Sequence, residues 1–113
     1  MKVIVAGSRT INNHRVVAQA IIKSGFQITE IVSGGAAGVD KCGEWYANAN
    51  KLEIKRFLAN WNKYGKKAGA IRNAEMAQYA DALVAVWDGV SPGTKIMIEM
   101  AEKKGLKVFV WEI

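Results

Sequence analysis

The sequence of 113 residues is poor in the side chains that form disulfides and metal sites, with one cysteine, Cys42, and one histidine, His14. A single cysteine excludes a disulfide within the chain, and one histidine beside it does not make the cluster of soft ligands that holds zinc. We therefore expect no metal site and no cofactor, and we interpret both residues as structural.

Long apolar runs are also absent. Residues 1–6 are apolar apart from Lys2, but they continue directly into Gly7-Ser8-Arg9-Thr10, without the small-residue cleavage site of an export signal. The expectation is a cytoplasmic protein without a membrane partner. No repeat, linker or low-complexity segment interrupts the chain, and its length fits one domain over residues 1–113.

The sequence has a formal net charge of +6. Such an excess fits an anionic partner, which could be the phosphates of a nucleotide, a nucleic acid or counterions in the cell. Charge alone does not select among these partners.

Apolar runs and helical spacing alternate along the chain. The five runs that favour strands are 2–6, 30–32, 52–58, 82–87 and 106–111, and the patterns that favour helices are 14–24, the segment from 39 to 49, 70–79 and 94–104. Thr10 or Asn13 can cap the first helix, Gly25 can end it, and Thr94 is a candidate N-cap of the last. Residues 60–69 are polar, basic and interrupted by Gly65, which favours an extended loop.

This alternation predicts an α/β, Rossmann-like domain in which a five-stranded parallel sheet carries helices on both faces. The expected strand order is 3-2-1-4-5, so a crevice should open between the first and fourth strands, where the order reverses. The loops at 7–10, 33–40 and 88–94 all follow strands and should meet at that edge.

Two of these loops are rich in glycine: Ser33-Gly34-Gly35-Ala36-Ala37-Gly38-Val39-Asp40 and Asp88-Gly89-Val90-Ser91-Pro92-Gly93-Thr94. Glycines between a strand and a helix N-terminus bring backbone N–H groups to a phosphate without an obstructing Cβ, and nearby hydroxyls add donors. Tight packing or helix capping would explain each turn singly. Together with Gly7-Ser8-Arg9 after the first strand, they favour anion binding.

Charged and amide side chains near these turns extend the candidate site. Arg9 can bind a phosphate with two parallel hydrogen bonds, Arg72 can approach the same anion, and Asn73 can bond a ribose hydroxyl or cap a helix. Asp40 and Asp88 can hold ribose hydroxyls or stabilise an oxocarbenium-like centre, although a helix N-terminus and a turn explain them equally well. The predicted ligand-binding set is Gly7, Ser8, Arg9, Ser33, Gly34, Gly35, Gly38, Asp40, Arg72, Asn73, Asp88, Gly89, Ser91, Gly93 and Thr94, and the catalytic candidates are Arg72, Asp88 and Asp40.

Taken in order, several segments resemble the small YspA-type branch of the SLOG superfamily: Val5-Ala6-Gly7-Ser8-Arg9, the turn from Ser33 to Asp40, Asn60-Trp61 with Tyr64-Gly65, Ala68-Gly69 with Arg72-Asn73 and Met76, and Trp87-Asp88-Gly89 with Ser91 and Gly93-Thr94. The resemblance implies a Rossmann-like fold that binds nucleotides or nucleotide-derived ligands, and pairing through helices, so a homodimer is one expected assembly. Related phosphoribohydrolases carry an acid three residues after the threonine of their glycine-threonine pair. That position is Met97 here, whereas Arg72 corresponds to the arginine that accompanies the acid.

Three functions follow as hypotheses. The first is a module that binds an ADP-ribose-like ligand or another phosphorylated nucleoside, as a sensor, carrier or sequestering protein. The second is a phosphoribohydrolase that cleaves the N-glycosidic bond of a nucleoside monophosphate, with Arg72 and Asp88 or Asp40 in the site. The third is single-stranded nucleic-acid binding by Lys63, Lys66 and Lys67 with the neighbouring aromatics Trp61 and Tyr64. Met97 favours binding over cleavage.

Overall fold

A computed structural model describes all residues from Met1 to Ile113. Its strands are β1 (Lys2–Gly7), β2 (Glu30–Ser33), β3 (Glu53–Arg56), β4 (Ala82–Trp87) and β5 (Lys107–Glu112). Its α-helices are α1 (His14–Ser24), α2 (Val39–Ala49), α3 (Trp61–Tyr64), α4 (Ala68–Tyr79) and α5 (Pro92–Lys103), and a 3₁₀ turn (Gly65–Lys67) joins α3 to α4. None of the helices is both long and apolar enough to span a membrane.

The five strands form one parallel sheet in the order β3-β2-β1-β4-β5. Val3 of β1 pairs with Ile31 on one side and with Ala82 on the other. The predicted strand order and the Rossmann-like α/β class are confirmed. The order reverses between β1 and β4, so the two helices that follow these strands cover opposite faces of the sheet.

Alternation along β1 divides the core into two layers. Val3 and Val5 pack in a buried cluster with residues of α1 and α2, whereas Ile4 and Ala6 pack in a second cluster with residues of α4 and α5. Successive strand side chains point to opposite faces, so a continuous apolar run supplies both layers at once. The helices lie on both faces, as predicted.

Helix α1 has the predicted bounds because both of its ends are capped. The Asn13 side chain accepts hydrogen bonds from the N–H groups of Arg15 and Val16, at 3.0 and 3.3 Å. Gly25 ends the helix with a φ of 73°, a left-handed conformation that costs glycine little. Asn13, rather than Thr10, is the cap.

The prediction of an extended loop over residues 60–69 is wrong. Asn60 caps α3 by accepting a hydrogen bond from the N–H of Lys63 at 3.1 Å, and Gly65, with a φ of 58°, ends only that one turn. Ala68 is buried and already belongs to α4. A polar N-cap and one buried alanine thus outweigh the basic composition that suggested a loop.

The start predicted for the last helix is also wrong, by two residues. Helix α5 begins at Pro92, with Ser91 in the N-cap position, so Thr94 is not the cap. Proline suits the first helical position because the N–H that it lacks would have no partner there. Thr94 instead lies buried in the first turn, beside the cleft described next.

Candidate functional site

The carboxyl edge of the sheet opens between β1 and β4 into a cleft of about 550 Å³. Parallel sheets with helices on both faces have their crevice where the strand order reverses, because the connections there leave in opposite directions. Met76 of α4 and Met97 of α5 are both buried and line the cleft. The remaining wall comes from the end of β1, from the loops that follow β1, β2 and β4, from the 3₁₀ turn, and from other residues of α2, α3, α4 and α5.

Most of the predicted ligand-binding residues line this cleft: Gly7, Ser8, Arg9, Asp40, Arg72, Asn73, Asp88, Ser91, Gly93 and Thr94. Gly34 and Gly35 instead line a second cavity of about 260 Å³, and Arg9 and Arg72 line both spaces. Ser33, Gly38 and Gly89 line neither. The structure therefore brings the three predicted loops together but gives their residues different positions.

Ser8 ties the loop after β1 to the loop after β4. Its side chain is buried, and its Oγ accepts a hydrogen bond from the N–H of Asp88 at 3.2 Å and lies 3.2 Å from Ser91 Oγ. Gly7, the residue before Ser8, lies so close to β4 that a Cβ added to it would be 2.0 Å from the Val86 carbonyl oxygen. This edge of the cleft is fixed by backbone packing rather than by mobile side chains.

Asp88 organises the turn between β4 and α5. One carboxylate oxygen accepts hydrogen bonds from the N–H groups of Val90 and Ser91 at 2.9 and 2.7 Å, and the other accepts from the Ser91 hydroxyl at 2.6 Å. The Ser91 hydroxyl, followed by these N–H groups, lowers the pKa of Asp88 to about 2. At neutral pH Asp88 is thus an ionised carboxylate that shapes the turn, and it has no proton to donate.

The first turn of α5 offers open hydrogen-bond donors beside this turn. The N–H groups of Gly93 and Thr94 donate to no backbone or side-chain acceptor of the protein, whereas the N–H of Lys95 is bonded to Ser91. Unpaired N–H groups and the partial positive charge at a helix N-terminus attract anions. Gly93 has no Cβ to obstruct an approaching group. No atom of the protein lies within 4 Å of the place where a Cβ would be, so the space beside this residue is open.

In the turn from Ser33 to Gly38, side chains of the protein occupy two of the N–H groups. The N–H of Gly35 donates to Ser33 Oγ at 3.0 Å, and the N–H of Ala36 donates to Asp40 at 3.2 Å. Ser33, fully buried, donates in turn to Glu44 at 2.7 Å. The N–H groups of Gly34, Ala37 and Gly38 donate to no acceptor of the protein, so this turn also keeps open donors.

Glu44 holds the turn after β2 in place. Its carboxylate accepts two hydrogen bonds from Arg56, at 3.1 and 3.0 Å, as well as the one from Ser33. Burial by itself would raise the pKa of Glu44, but the bonds from Ser33 and Arg56 outweigh it, and the pKa is lowered. Glu44 is therefore a charged structural group at neutral pH that fixes the end of β2 against β3.

Arg72 stands between the two cavities. Its Nη1 donates to the carbonyl oxygen of Gly34 at 2.6 Å and its Nε donates to the Asn73 side chain at 2.9 Å. No carboxylate forms an ion pair with Arg72 or with Arg9, since the ion pairs of the chain are those of Glu44 with Lys41 and Arg56. Two guanidinium groups without carboxylate partners thus line the same space.

Asp40 is the buried carboxyl group of the cleft, with 5% of its surface exposed. Burial raises its pKa to about 6, against the opposing effects of the Ala36 N–H and of the positive charges on Arg72 and Arg9, while Glu44 adds to the rise. Asp40 therefore changes charge close to neutral pH, unlike Asp88 on the opposite side of the cleft.

Replacing Asp40 with asparagine is expected to stabilise the protein above pH 7 by about 3 kcal/mol, because a pKa raised by about two units costs that much when the group is ionised. The folded-state pKa of about 6 exceeds the ordinary value of 3.8, so the cost is full above about pH 7 and fades between about pH 6 and pH 4. Urea unfolding of wild type and D40N across this range measures it. E99Q, at an exposed position of α5, is the control, and a pH-independent difference between wild type and D40N would contradict the expectation.

Leu58 and Ile96 are among the wall residues that the predicted set lacks. Leu58 follows β3 and lines the second cavity, and Ile96 of α5 lines the main cleft. Both are apolar and largely exposed, at 68% and 48%. Leu58 had a usable signal, since it lies at the carboxyl end of the third strand. Ile96 had none, since its position depends on where α5 begins.

Comparisons with known proteins agree with this architecture. A family model described as the YspA, cpYpsA-related SLOG family matches residues 1–64. The Gene 61 protein of Mycobacterium phage D29 is 32% identical over 117 residues, which cover 95% of this chain and 93% of that protein. The crystal structure of DNA processing protein A (DprA) from Streptococcus pneumoniae superposes with a TM-score of 0.77 at 20% identity, over 96% of this chain and 49% of that one. The chain thus shares its fold with about half the length of DprA.

Proposed function

Because the chain belongs to the YspA, cpYpsA-related SLOG family, we propose that it binds a phosphorylated nucleoside or a nucleotide derivative in the cleft between β1 and β4. Family membership confirms the resemblance drawn from the ordered motifs. It supports a function related to nucleotides or nucleic acids, and the choice of a small nucleotide ligand rests on the cleft.

The observation that carries the proposal is the arrangement of positive groups around one cleft. The open first turn of α5 supplies the N–H groups of Gly93 and Thr94, and Arg9 and Arg72 supply two guanidinium groups that form no ion pair with a carboxylate. Guanidinium groups and helix N-termini both bind phosphate in proteins. A volume of about 550 Å³ is within the range of small-molecule sites.

Polar groups for a sugar are available in the same cleft. Asn73 uses its oxygen to accept from Arg72, which leaves its amide N–H groups for a ribose hydroxyl. Asp40 uses one oxygen to accept from Ala36, and its other oxygen remains for a second hydroxyl. Both residues line the cleft beside the arginines.

Binding without cleavage is the form of the proposal that the residues support. Met97 is 2% exposed and lines the cleft at the position where related hydrolases carry their acid, so an apolar side chain faces the site there. Asp88 is held ionised by Ser91 and Val90 and supplies no proton. A protein of this kind acts as a sensor, carrier or sequestering protein.

Ribose 5-phosphate, AMP and ADP-ribose are the probes for this proposal. Each is expected to raise the unfolding temperature and to bind in calorimetry, because a ligand that binds only the folded state stabilises it. Chromatography of the incubated AMP should show no free adenine. Absence of binding by all three at millimolar concentration would overturn the proposal, and release of adenine that disappears in D40N would replace it with the phosphoribohydrolase hypothesis.

A further inference from the structure

Asp40 and Arg72 lie side by side in the wall of the cleft without forming an ion pair. A Cβ added to Gly34 would lie 2.6 Å from Arg72 Nη1 and 2.8 Å from Asp40 Oδ2, so the guanidinium and the carboxyl group flank a single point. The Arg72 Nη1 donates instead to the Gly34 carbonyl oxygen, at 2.6 Å. An anion that binds Arg72 must therefore come close to the Asp40 carboxyl group.

The Asp40 carboxyl group presents one oxygen to the cleft. Its Oδ2 accepts a hydrogen bond from the N–H of Ala36 at 3.2 Å, whereas its Oδ1 has no partner in the protein. Every fully buried side-chain oxygen of this structure has a partner, so Oδ1 keeps contact with the space of the cleft although only 5% of the residue is exposed. A ligand at Arg72 thus meets an oxygen whose hydrogen-bonding capacity is unused.

The protonation state of Asp40 decides whether this oxygen attracts or repels an anion. A carboxylate repels a phosphate and has no proton to donate, whereas a neutral carboxylic acid can donate its O–H to a phosphate oxygen. The neutral form also keeps a contact with a sugar, because a ribose hydroxyl can accept from the acid as well as donate to it. Loss of the charge on Asp40 therefore favours an anion without removing the sugar contact.

The charged groups around Asp40 come from three elements. Arg72 of α4 and Arg9 of the loop after β1 lower its pKa, as does the N–H of Ala36, whereas Glu44, one turn further along α2, raises it. Burial is the largest effect and brings the pKa to about 6. Asp40 is thus mostly ionised in the free protein at pH 7, and its neutral form is accessible close to that pH.

A bound anion would remove the support that the two arginines give to the carboxylate form. A phosphate that pairs with Arg9 and Arg72 offsets their positive charge and adds a negative charge of its own, and both changes raise the pKa of Asp40 further. The other charged residues that line the cleft are Lys66 of the 3₁₀ turn and Asp88, which stays ionised at neutral pH. Asp40 is therefore the carboxyl group of the cleft that gains a proton when an anion arrives.

We propose that the cleft takes up its anion together with a proton, and that Asp40 accepts this proton from solvent, so that binding weakens as the pH rises above neutral. This rests on the proposed function and adds the regulation of the same site. When only the neutral form binds well, the apparent affinity falls with the neutral fraction, which is roughly one-tenth at one pH unit above the pKa and roughly one-hundredth at two.

The variant that isolates this proton is D40N, because asparagine has the same shape, does not ionise and can still accept from the N–H of Ala36. Calorimetry with AMP and the full chain at about pH 5, 7 and 8 compares wild type, D40N and E99Q, which removes an exposed carboxylate of α5 outside the cleft. The phosphate of AMP has an ionisation of its own in this range, and the ratio of two affinities at one pH cancels it.

D40N is expected to bind AMP about tenfold more tightly than wild type at pH 7, by a larger factor at pH 8 and equally at pH 5. E99Q should follow wild type at each pH. Wild type at pH 7 should take up nearly one proton more per bound AMP than D40N, measured from the change of the binding enthalpy between buffers of different ionisation enthalpy. The proton count of wild type, after subtraction of the ionisation of AMP, gives the same answer if D40N does not fold.

Three results would overturn the role of Asp40 while binding stood. An affinity ratio that did not change with pH, with no difference in proton uptake, would place the anion away from Asp40. Weaker binding by D40N at every pH, with release of protons by wild type, would make Asp40 a carboxylate that accepts a ribose hydroxyl. Equal effects of D40N and E99Q would mean that only the net charge matters. If AMP bound neither wild type nor D40N at any pH, the proposed function itself would fall.

Discussion

Replacing Arg72 with alanine is expected to weaken the binding of AMP and ADP-ribose by about 100-fold. A hydrogen bond to a charged group contributes roughly 1.5–3 kcal/mol, and each 1.4 kcal/mol is a factor of ten, so loss of one or two such bonds gives this range. The effect should be large because Arg72 lines both cavities and forms no ion pair with a carboxylate. Calorimetry at fixed salt measures the change.

Two further variants separate the contributions of Arg72. R72K keeps the charge but loses the planar fork, and it should recover only part of the affinity. R15A removes an exposed arginine of α1 that lines neither cavity, and it should bind like wild type. Equal losses in R72A and R15A would mean that only the net charge of the protein matters. Unchanged affinity in R72A would remove the arginine from the site.

Arg72 also contributes to the stability of the fold, and unfolding of R72A measures that contribution. Its Nη1 holds the Gly34 carbonyl oxygen at 2.6 Å, so R72A releases one contact between α4 and the turn after β2. The expected cost is about 1.5–3 kcal/mol of unfolding free energy, the usual range for a hydrogen bond to a charged group. A loss of this size leaves the protein folded, and the binding defect can then be read without a correction for unfolded chain.

The sheet was predictable because its information is local and periodic. Ile4 and Val5 point to opposite faces whatever the rest of the chain does, and both faces are covered, so the run had to be apolar throughout. Alternation of strands with helices then restricts the connections to right-handed crossovers. These rules limited the strand orders to a few, and the order typical of doubly wound α/β sheets is the one observed.

The site was predictable only as far as chain connectivity reaches. Loops that follow strands at the carboxyl edge must meet there, which brought Ser8, Asp88 and Thr94 together. Which N–H groups stay open was not predictable, because it depends on side-chain bonds within each turn. The N–H of Ala36 is taken by Asp40, whereas the N–H of Thr94 has no such neighbour. In each of the two turns, side chains occupy some N–H groups and leave others open.

The prediction of an extended loop from Asn60 to Gly69 was wrong for a related reason. Its lysines and Gly65 resemble a loop in composition, but helix formation there depends on one cap, from Asn60 to the N–H of Lys63, and on burial of Ala68. Burial of Ala68 depends on the assembled fold and cannot be predicted from the sequence of this segment alone. The consequence for the site is direct, because the helical turn places Trp61 in the wall of both cavities.

Replacing Gly38 with alanine is expected to destabilise the protein by about 4 kcal/mol, although Gly38 lines neither cavity. Its φ of 80° and ψ of −128° form a conformation that other residues adopt only under strain of about 1–3 kcal/mol. An added Cβ would also lie 2.4 Å from the Ser8 carbonyl oxygen and 2.5 Å from that of Arg9. Both are backbone atoms, so α2 would have to move away from the loop after β1.

The displacement of α2 would also cost a hydrogen bond. The N–H of Val39, the first residue of α2, donates to the Ser8 carbonyl oxygen at 3.3 Å, and displacing α2 would break this bond. Thermal unfolding of G38A should show a midpoint lower by about 15–25 °C, from the size of the destabilisation. G93A places a Cβ where no atom lies within 4 Å and should unfold close to wild type. The contrary result is a G38A variant that keeps the wild-type midpoint and loses only ligand affinity. Gly38 would then be a phosphate-binding glycine, as its sequence pattern suggests, and not the point at which α2 contacts the loop after β1.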